Sequence, residues 1–323
     1  MQAQITTVTA ANFEDLCIAV FRYQAEYNSL YKKYLHLLHI DTQSITTINQ
    51  IPFLPISFFK THRIKTKNWR AEVVFTSSGT TGNTTSRHYV KDTTFYDNNT
   101  RLAYENFYGA LKNYTVLALL PAYLERGGSS LVRMAQRFIE WSDAPESGFF
   151  LYEYNKLQAV LQECNDTKKP TLLLGVSFAL LDLAEQYPLQ LADNIIVMET
   201  GGMKGRRREL TRPELHDTLA RAFGTSQIHS EYGMTELLSQ AYSQGNGRFT
   251  SAPTMRVQTR ELTDPFTTLP HEQTGCLNII DLANLHSCSF IATDDLGKTH
   301  SDGSFEVLGR ADASDIRGCN LLV

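Results

Sequence analysis

Four short apolar runs, each separated from the next by a longer amphipathic segment, constrain the fold of this chain more than any other feature. They lie at residues 116–120, 148–152, 171–175 and 194–198. Such runs are typical of strands buried on both faces, and the segments between them are long enough for crossover helices. The pattern therefore predicts an α/β fold with mainly parallel sheets flanked by helices.

Helical patterns occur at three further places. Residues 13–38 carry apolar side chains at helical spacing, which predicts one or two helices. The segment TLLLGVSFALLDLA at 171–184 predicts a buried strand followed by a helix. The strongest signal is at 212–223, where Thr211 and Glu214 have capping-box spacing and a glycine follows the last apolar position.

The pattern changes after about Phe249, where helical spacing disappears. The segments CLNIIDL, SCSFIAT and SFEVLG predict short strands separated by turns. We therefore predict two domains. Residues 1–249 would hold a helical N-terminal segment and an α/β nucleotide-binding core, and residues 250–323 a β-rich subdomain ending in a cysteine-bearing tail.

The composition excludes several classes of protein. A formal charge of −4 gives no electrostatic reason to expect nucleic acid or an anionic membrane as partner. We interpret the only basic cluster that we single out, Arg206-Arg207-Arg208, as a solvated approach to a helix. The first residues lack the features of a signal peptide, and no apolar stretch is long enough to span a bilayer. Five scattered cysteines favour reduced thiols, so we expect a cytoplasmic protein.

A loop rich in hydroxyl residues follows an apolar strand-like run in VVFTSSGTTGNTTSRHYV, residues 73–90. Backbone N–H groups and hydroxyls of such a loop can bind phosphate oxygens, and its glycines allow close approach. It is not a Walker A loop, and segments of this composition are more often plain surface loops. The candidate phosphate-binding residues are Ser77, Ser78, Gly79, Thr80, Thr81 and Gly82.

The segment METGGMKG follows the 194–198 strand directly. It puts Gly201, Gly202 and Met203 at the carboxyl end of that strand, which is the edge where open α/β sheets bind ligands. We therefore take these three residues as candidates for nucleotide binding.

The segment HSEYGMTE follows the next predicted strand. Tyr232 could stack on a base, Thr235 could bind a phosphate, and Glu236 offers the hard oxygen ligand that suits Mg²⁺. A helix N-terminal carboxylate is the plainer interpretation of Glu236. The candidates here are Glu231, Tyr232, Gly233, Thr235 and Glu236.

Acidic residues and one arginine lie near the predicted strand ends of the last subdomain, in ATDDLG and LGRADASDIRG. Asp295 could accept hydrogen bonds from ribose hydroxyls, with Arg310 as a second contact. Turn and capping roles explain such acids equally well.

These segments, in this order, resemble the phosphate, adenine, magnesium, ribose and hinge motifs of the adenylate-forming superfamily. The resemblance covers residues 73–318 and implies that fold, with ATP and Mg²⁺ as ligands. By position, Thr80 and Thr81 would hold ATP phosphates, Gly202, Met203 and Tyr232 would frame adenine, and Thr235 and Glu236 would serve phosphate and magnesium.

The chain departs from that superfamily in two respects. Its loop has NTTSR where a proline and a lysine are usual, so Arg87 is the candidate nearby cation. The sequence also stops just past the hinge motif, before the usual C-terminal domain with its catalytic lysine. The segments LPISFFK and RGCNL narrow the resemblance to the acyl-protein synthetases of bacterial bioluminescence systems.

That narrower resemblance implies adenylation of a fatty or other carboxylic acid, then transfer to a cysteine near the C-terminus. By position the cysteine is Cys319, and an acyl-acceptor protein, a reductase or a carrier protein, would be the partner. The nine residues from Arg310 to Cys319 reach roughly 30 Å when extended. Arg317 could lower the thiol pKa.

Two other functions fit the same motifs. The acyl group could pass to coenzyme A or to the phosphopantetheine of a carrier protein, which would leave Cys319 structural. Alternatively the chain could be a non-catalytic subunit that binds a nucleotide or an acyl group.

Overall fold

The computed structural model describes residues 1–77, 85–121, 127–201, 207–208 and 210–311. No helix among these residues is both long and apolar enough to cross a membrane.

The described helices and strands follow in chain order. The helices are α1 Gln2–Ile5, α2 Phe13–Tyr27, α3 Ser29–Leu37, α4 Phe58–Thr61, α5 Thr93–Tyr108, α6 Ser130–Trp141, α7 Tyr154–Thr167, α8 Ser177–Gln186 and α9 Arg212–Phe223. The strands are β1 Leu54–Pro55, β2 Val73–Thr76, β3 Arg87–Val90, β4 Thr115–Leu119, β5 Gly148–Phe150, β6 Thr171–Val176, β7 Ile195–Thr200, β8 His229–Tyr232, β9 Ala241–Ser243, β10 Arg248–Ser251, β11 Met255–Arg260, β12 Gly275–Asp281, β13 Phe290–Thr299 and β14 Phe305–Arg310.

Two compact units make up the chain. The first contains Met1–Asn99, Thr235–Ser239 and the chain from Thr250 onward, and the second contains Thr100–Met234 and Gln240–Phe249. One of the divisions between these units falls between Phe249 and Thr250. The first 99 residues, however, belong with the C-terminal part of the chain rather than with the α/β core.

The second unit holds the mainly parallel sheet that the sequence predicts. Strands β5, β4, β6, β7 and β8 lie side by side in that order, each parallel to its neighbour, and β9 adds an antiparallel edge. Every residue of β4 and β6 is buried, which explains their uninterrupted apolar sequences. The α/β fold class is therefore confirmed.

Helix α9 is built as its sequence indicates. Thr211 and Glu214 form the reciprocal capping box, and Gly224 ends the helix with a left-handed φ of 63°. Leu215, Leu219 and Phe223 form its buried face. Each such side chain contributes about 1.5–3 kcal/mol to stability when fully buried.

The first unit contains the antiparallel strands β11, β12, β13 and β14 in that order, with β1 parallel to β13. Strands β2 and β3 form a separate antiparallel pair. The ring of Phe290 on β13 packs against Phe21, Tyr31 and Phe53, with centroids 6.0–6.2 Å apart. This aromatic cluster joins α2 and α3 to the β-rich part of the unit.

Candidate functional site

A turn at Thr235 and Glu236 lies at the centre of the site in the first unit. The Glu236 side chain is buried, with 6% of its residue surface exposed, and the Ser86 hydroxyl hydrogen-bonds to it. Burial raises the pKa of Glu236, and the hydrogen bond from Ser86 acts against that rise. The helix N-terminal interpretation of Glu236 fails, because the residue lies in a turn.

The backbone of this turn is held by two side chains that are distant in sequence. The Nδ1 atom of His88 lies 2.8 Å from the Thr235 carbonyl oxygen, and the Asn284 amide donates to the Glu236 carbonyl oxygen at 2.8 Å. Burial lowers the pKa of His88 to about 4, so the ring is neutral at pH 7 and carries its proton on Nδ1. His88 is therefore a structural support of the turn.

The next residues are anchored by one buried carboxylate. Asp281 accepts hydrogen bonds from the backbone of Leu238 and Ser239 at 2.7 and 3.1 Å, and from the Ser239 hydroxyl at 2.6 Å. A fourth bond comes from the Ala283 backbone at 3.0 Å. Burial raises the pKa of Asp281 to about 6, and these four donors oppose the rise.

Ser77 lies where the hydroxyl-rich loop leaves β2. Its hydroxyl accepts a hydrogen bond from the Ser86 backbone at 2.9 Å, and its own N–H donates to the Ser86 carbonyl oxygen at 3.2 Å. Ser86 therefore joins the base of the loop to the Glu236 carboxylate. The other candidate phosphate-binding residues, Ser78, Gly79, Thr80, Thr81 and Gly82, lie outside the described residues.

Asp295 and Arg310 face each other across the β13–β14 pair. They are partners in the strand register, and Arg310 Nε donates to Asp295 Oδ1 at 3.2 Å. The Arg310 side chain is 72% exposed, so this ion pair contributes little to stability. The charges of both residues act on the pKa of Glu236. The positive charge of Arg310 lowers that pKa, and the negative charge of Asp295 raises it. The structure thus brings the predicted ribose and magnesium residues together.

The candidates of the second unit gather at the carboxyl ends of β7 and β8. Gly201 follows β7 with a φ of 70°, and its carbonyl oxygen accepts a hydrogen bond from Ser177. Thr200 donates to the buried Glu231 carboxylate at 2.5 Å. Burial raises the pKa of Glu231 to about 7, with a further increase from the charge of Glu199. Gly202 and Met203 lie outside the described residues.

Gly233 has a steric reason for lacking a side chain. A Cβ atom built at this position would lie 2.5 Å from Oε1 of Glu231. The glycine therefore lets the Glu231 carboxylate lie against the backbone at the end of β8.

The rings of Tyr232 and His229, both on β8, pack against neighbouring aromatic side chains. Tyr232 was expected to stack on a base, but it lies within β8, is only 8% exposed, and packs edge-on against Phe249. The Nδ1 atom of His229 lies 3.1 Å from the Tyr108 hydroxyl, and burial lowers the pKa of His229 to about 4.

Four residues that support the site had no sequence signal. They are Ser86, Asp281 and Asn284 around the Thr235–Glu236 turn, and Glu199 in the second unit. Glu199 pairs with Arg212 at 3.3 Å and lies 3.7 Å from His216 Nε2. Burial alone would raise its pKa, but His216 and Arg212 lower it. Cys319 and Arg317 lie outside the described residues.

Comparisons with known proteins give a clear answer for the fold. No family model and no curated protein matches the sequence. Among solved structures, 2-hydroxyisobutyryl-CoA ligase in complex with 2-HIB-AMP and CoA matches with a TM-score of 0.64 and 13% identity, over 96% of this chain and 78% of that one. The chain has the fold of the adenylate-forming enzymes.

A second match gives the same fold at lower coverage. ATP-bound MatB from Rhodopseudomonas palustris matches with a TM-score of 0.54 and 15% identity, over 76% of this chain. The chain spans about half the length of the MatB structures, 49% for this one. At these identities the matches establish the fold, and the chemistry has to be argued from the residues of this chain.

Proposed function

We propose that this chain activates a carboxylic acid with ATP as an acyl-adenylate and then transfers the acyl group to the thiol of Cys319. The observation that supports the adenylation step is the Thr235–Glu236 turn, in which the Glu236 carboxylate is buried. The buried Glu236 carboxylate accepts a hydrogen bond from the Ser86 hydroxyl, and its other lone pairs retain the capacity to bind a cation. The comparison with a ligase in complex with an acyl-AMP supports the same chemistry.

The residues around Glu236 fit Mg²⁺ only together with a phosphate ligand. No group of three or more acidic, His or Cys residues that could hold a metal occurs within the described ranges. Mg²⁺ typically binds one or two carboxylates and completes its shell with substrate phosphates and water. Glu236, with ATP phosphates, would meet that requirement. The ion would offset charge that builds at the α-phosphate.

The chemistry itself is a two-step acyl transfer. The substrate carboxylate attacks the α-phosphorus of ATP, the bond to the β-phosphate breaks, and pyrophosphate leaves. A thiolate then attacks the carbonyl carbon of the mixed anhydride, AMP leaves, and a thioester forms. Splitting the reaction replaces a poor leaving group, oxide, with a good one.

Residues of this chain would position these groups. Hydroxyls and backbone N–H groups of the loop that begins at Ser77 would bind the phosphates, as fixed donors do for developing negative charge. Asp295 and Arg310 would bind the ribose side of the nucleotide. Rigid placement of Glu236 by Ser86, His88 and Asn284 would reduce the reorganisation needed when ATP binds.

A carrier thiol is the second candidate acceptor. The structure of 2-hydroxyisobutyryl-CoA ligase with CoA favours this alternative, in which coenzyme A or a carrier-protein phosphopantetheine takes the acyl group and Cys319 is structural. We favour Cys319 because it lies within roughly 30 Å of extended chain from Arg310. This preference agrees with the acyl-protein synthetases that the sequence resembles.

Two measurements test the proposal. Carboxylic acids of increasing chain length should stimulate ATP–pyrophosphate exchange by the wild-type chain, and no exchange with any acid would indicate the non-catalytic alternative. Incubation with ATP and a radiolabelled acid should then give a protein-bound label that hydroxylamine releases.

The Cys319→Ser variant separates the two acceptors. We expect it to keep the exchange activity and lose the hydroxylamine-sensitive label, with Cys164→Ser as the matched control because Cys164 is buried. Undiminished labelling of the Cys319→Ser chain would exclude Cys319 as the acyl carrier. Thioester formation on added coenzyme A by that variant would support the second candidate.

A further inference from the structure

A strongly basic segment lies on the first unit, outside the proposed site. Residues 60–70, KTHRIKTKNWR, contain five lysines and arginines and no acidic residue, in a chain whose acidic residues outnumber its basic ones by 34 to 30. The sequence interpretation named only Arg206–Arg208 as a basic cluster and missed this one. We call the surface formed by Lys60, Arg63, Lys65, Lys67 and Arg70 the basic surface.

Aromatic rings, rather than carboxylates, lie against three of the five cations of this surface, those of Arg63, Lys65 and Lys67. The Nζ atom of Lys65 lies 4.7 Å from the ring centroid of Trp69 and 5.3 Å from that of Tyr89. Lys67 lies 4.2 Å from the ring of Tyr27, and Arg63 lies 6.0 Å from that of Tyr89. A cation over a ring face is held in position but keeps its full charge.

Ion pairs do not neutralise the basic surface. Within the described part of the chain, no salt bridge includes any of its five cations. Glu26, the neighbouring acid on α2, hydrogen-bonds to the Tyr27 hydroxyl. The surface therefore presents positive charge without a carboxylate partner.

The backbone that carries these residues is fixed on both sides. The N–H of Thr66 donates to the His286 carbonyl oxygen at 2.8 Å. The Thr66 hydroxyl donates to the Ser287 carbonyl oxygen at 2.7 Å. Lys67 has a left-handed φ of 66°, and its N–H donates to the Tyr27 carbonyl oxygen at 3.0 Å. A non-glycine residue keeps such a conformation only where its surroundings impose it.

We propose that the basic surface is a docking site for an acidic protein. Pre-organised, unpaired cations favour a partner that supplies clustered carboxylates, and such charge complementarity sets association rate and orientation. Anionic membranes and nucleic acids also carry clustered negative charge, but they present phosphates, for which the bidentate guanidinium of arginine is the preferred partner. Three of the five cations here are lysines, and the vesicle and oligonucleotide arms of the test compare these partners directly.

Strand β3 connects this surface to the proposed site. Successive side chains of a strand point to opposite faces. His88 contacts the Thr235 carbonyl oxygen on one face, and Tyr89 lies under Lys65 and Arg63 on the other. An acidic protein bound here would therefore lie behind the strand that supports the Thr235–Glu236 turn.

The test uses the full chain and fluorescein-labelled poly-L-glutamate as the probe of clustered carboxylates. We expect binding by fluorescence anisotropy at about 50 mM salt and marked weakening at about 300 mM, because the screening length shortens. The Lys67→Asn/Arg70→Gln variant should bind about tenfold more weakly, whereas Lys112→Gln/Arg221→Gln, which removes two exposed cations of the second unit, should bind within about twofold of wild type. Asparagine is chosen at Lys67 because it tolerates a left-handed φ.

Further variants separate charge from folding. Lys67→Arg/Arg70→Lys keeps both charges and should restore binding, and all variants should keep the wild-type urea midpoint. Should Lys67→Asn/Arg70→Gln unfold, Lys60→Gln/Arg63→Gln tests the same surface.

Two results would overturn the proposal. The first is an equal loss of poly-L-glutamate binding in the Lys67→Asn/Arg70→Gln variant and in the Lys112→Gln/Arg221→Gln control. The second is tighter binding of anionic phosphatidylglycerol vesicles or of a single-stranded oligonucleotide than of poly-L-glutamate. ATP–pyrophosphate exchange is measured in parallel, because the docking surface and the proposed adenylation can fail independently.

Discussion

Glu199 and Glu231 are two buried glutamates of the second unit. Their contributions to the free energy of unfolding should change with pH in opposite directions. Burial raises the pKa of Glu231 from 4.5 to about 7. The folded state therefore binds a proton more tightly than the unfolded state does, and the ionised form carries an energetic cost in the fold. That cost is absent well below pH 4.5, grows as the pH rises, and is complete above about pH 7.

The size of the cost follows from the shift. A difference of 7 − 4.5 pKa units corresponds to about 3 kcal/mol of lost stability at the alkaline limit. Glu231→Gln removes the titrating group, and its amide oxygen can still accept the hydrogen bond from Thr200. Relative to wild type, the variant should gain about 2 kcal/mol more in unfolding free energy at about pH 8 than at about pH 5.

Glu199 provides the matched control. Its pKa is lowered, because His216 and Arg212 outweigh the burial that would raise it. Its ionised form therefore stabilises the fold above pH 4.5, and that stability is lost as the pH falls through the folded pKa. Glu199→Gln should lower the unfolding free energy by about 1–3 kcal/mol at about pH 8, because it removes the carboxylate that pairs with the partly buried Arg212.

Urea unfolding of both variants and of wild type at the two pH values measures these differences. The slope of free energy against urea should stay constant, which would show that the unfolded state is unchanged. A Glu231→Gln effect that does not depend on pH, or stabilisation by Glu199→Gln, would refute the assignment of opposite ionisation behaviour.

Three further substitutions address the site itself. Asp281→Asn should lower the unfolding free energy by about 2–4 kcal/mol in urea unfolding, because an amide nitrogen would face buried N–H donors, whereas Asp264→Asn on an exposed turn should stay within about 0.5 kcal/mol. Glu236→Gln should reduce ATP–pyrophosphate exchange by at least about 100-fold without lowering the urea midpoint, and retention of half the rate would contradict its proposed role. Gly233→Ala should be destabilised by about 1–3 kcal/mol, since its Cβ would lie against the Glu231 carboxylate, and an unchanged thermal midpoint would contradict the clash.

The sequence predicted the sheet of the second unit because its strands are buried on both faces. The predicted runs at 116–120, 171–175 and 194–198 match β4, β6 and β7 to within two residues. Strand β11, with the sequence MRVQTR, was not predicted because its polar residues give no continuous apolar run. The segment ATDDLG was expected near a strand end, but it lies inside β13, where pairing to β14 overrides the weak strand propensity of aspartate.

The sequence identified the ligand-binding residue types of the site but not their supports. The segment HSEYGMTE indicates Glu236 as a candidate magnesium ligand, because the residues that form the motif are adjacent in the chain. Ser86 contacts Glu236 across 150 positions of sequence, and Asp281 contacts Leu238 and Ser239 across 43 and 42 positions. Local pattern cannot reveal contacts over such distances. Pairing over such distances is set by the strand register of β3 and β12, and that register depends on the whole unit.

Substitution of Asp281 should affect both the stability of the fold and the proposed adenylation, whereas substitution of Glu236 should affect adenylation alone. Asp281 binds the backbone that follows Glu236, so its loss should reduce folding and exchange activity together. Glu236 itself lies buried with a raised pKa, so its ionised carboxylate opposes folding. Removing a charge that opposes folding should not lower the free energy of unfolding. Loss of exchange in Glu236→Gln at undiminished stability would therefore separate a chemical role from a structural one, which Asp281→Asn cannot do.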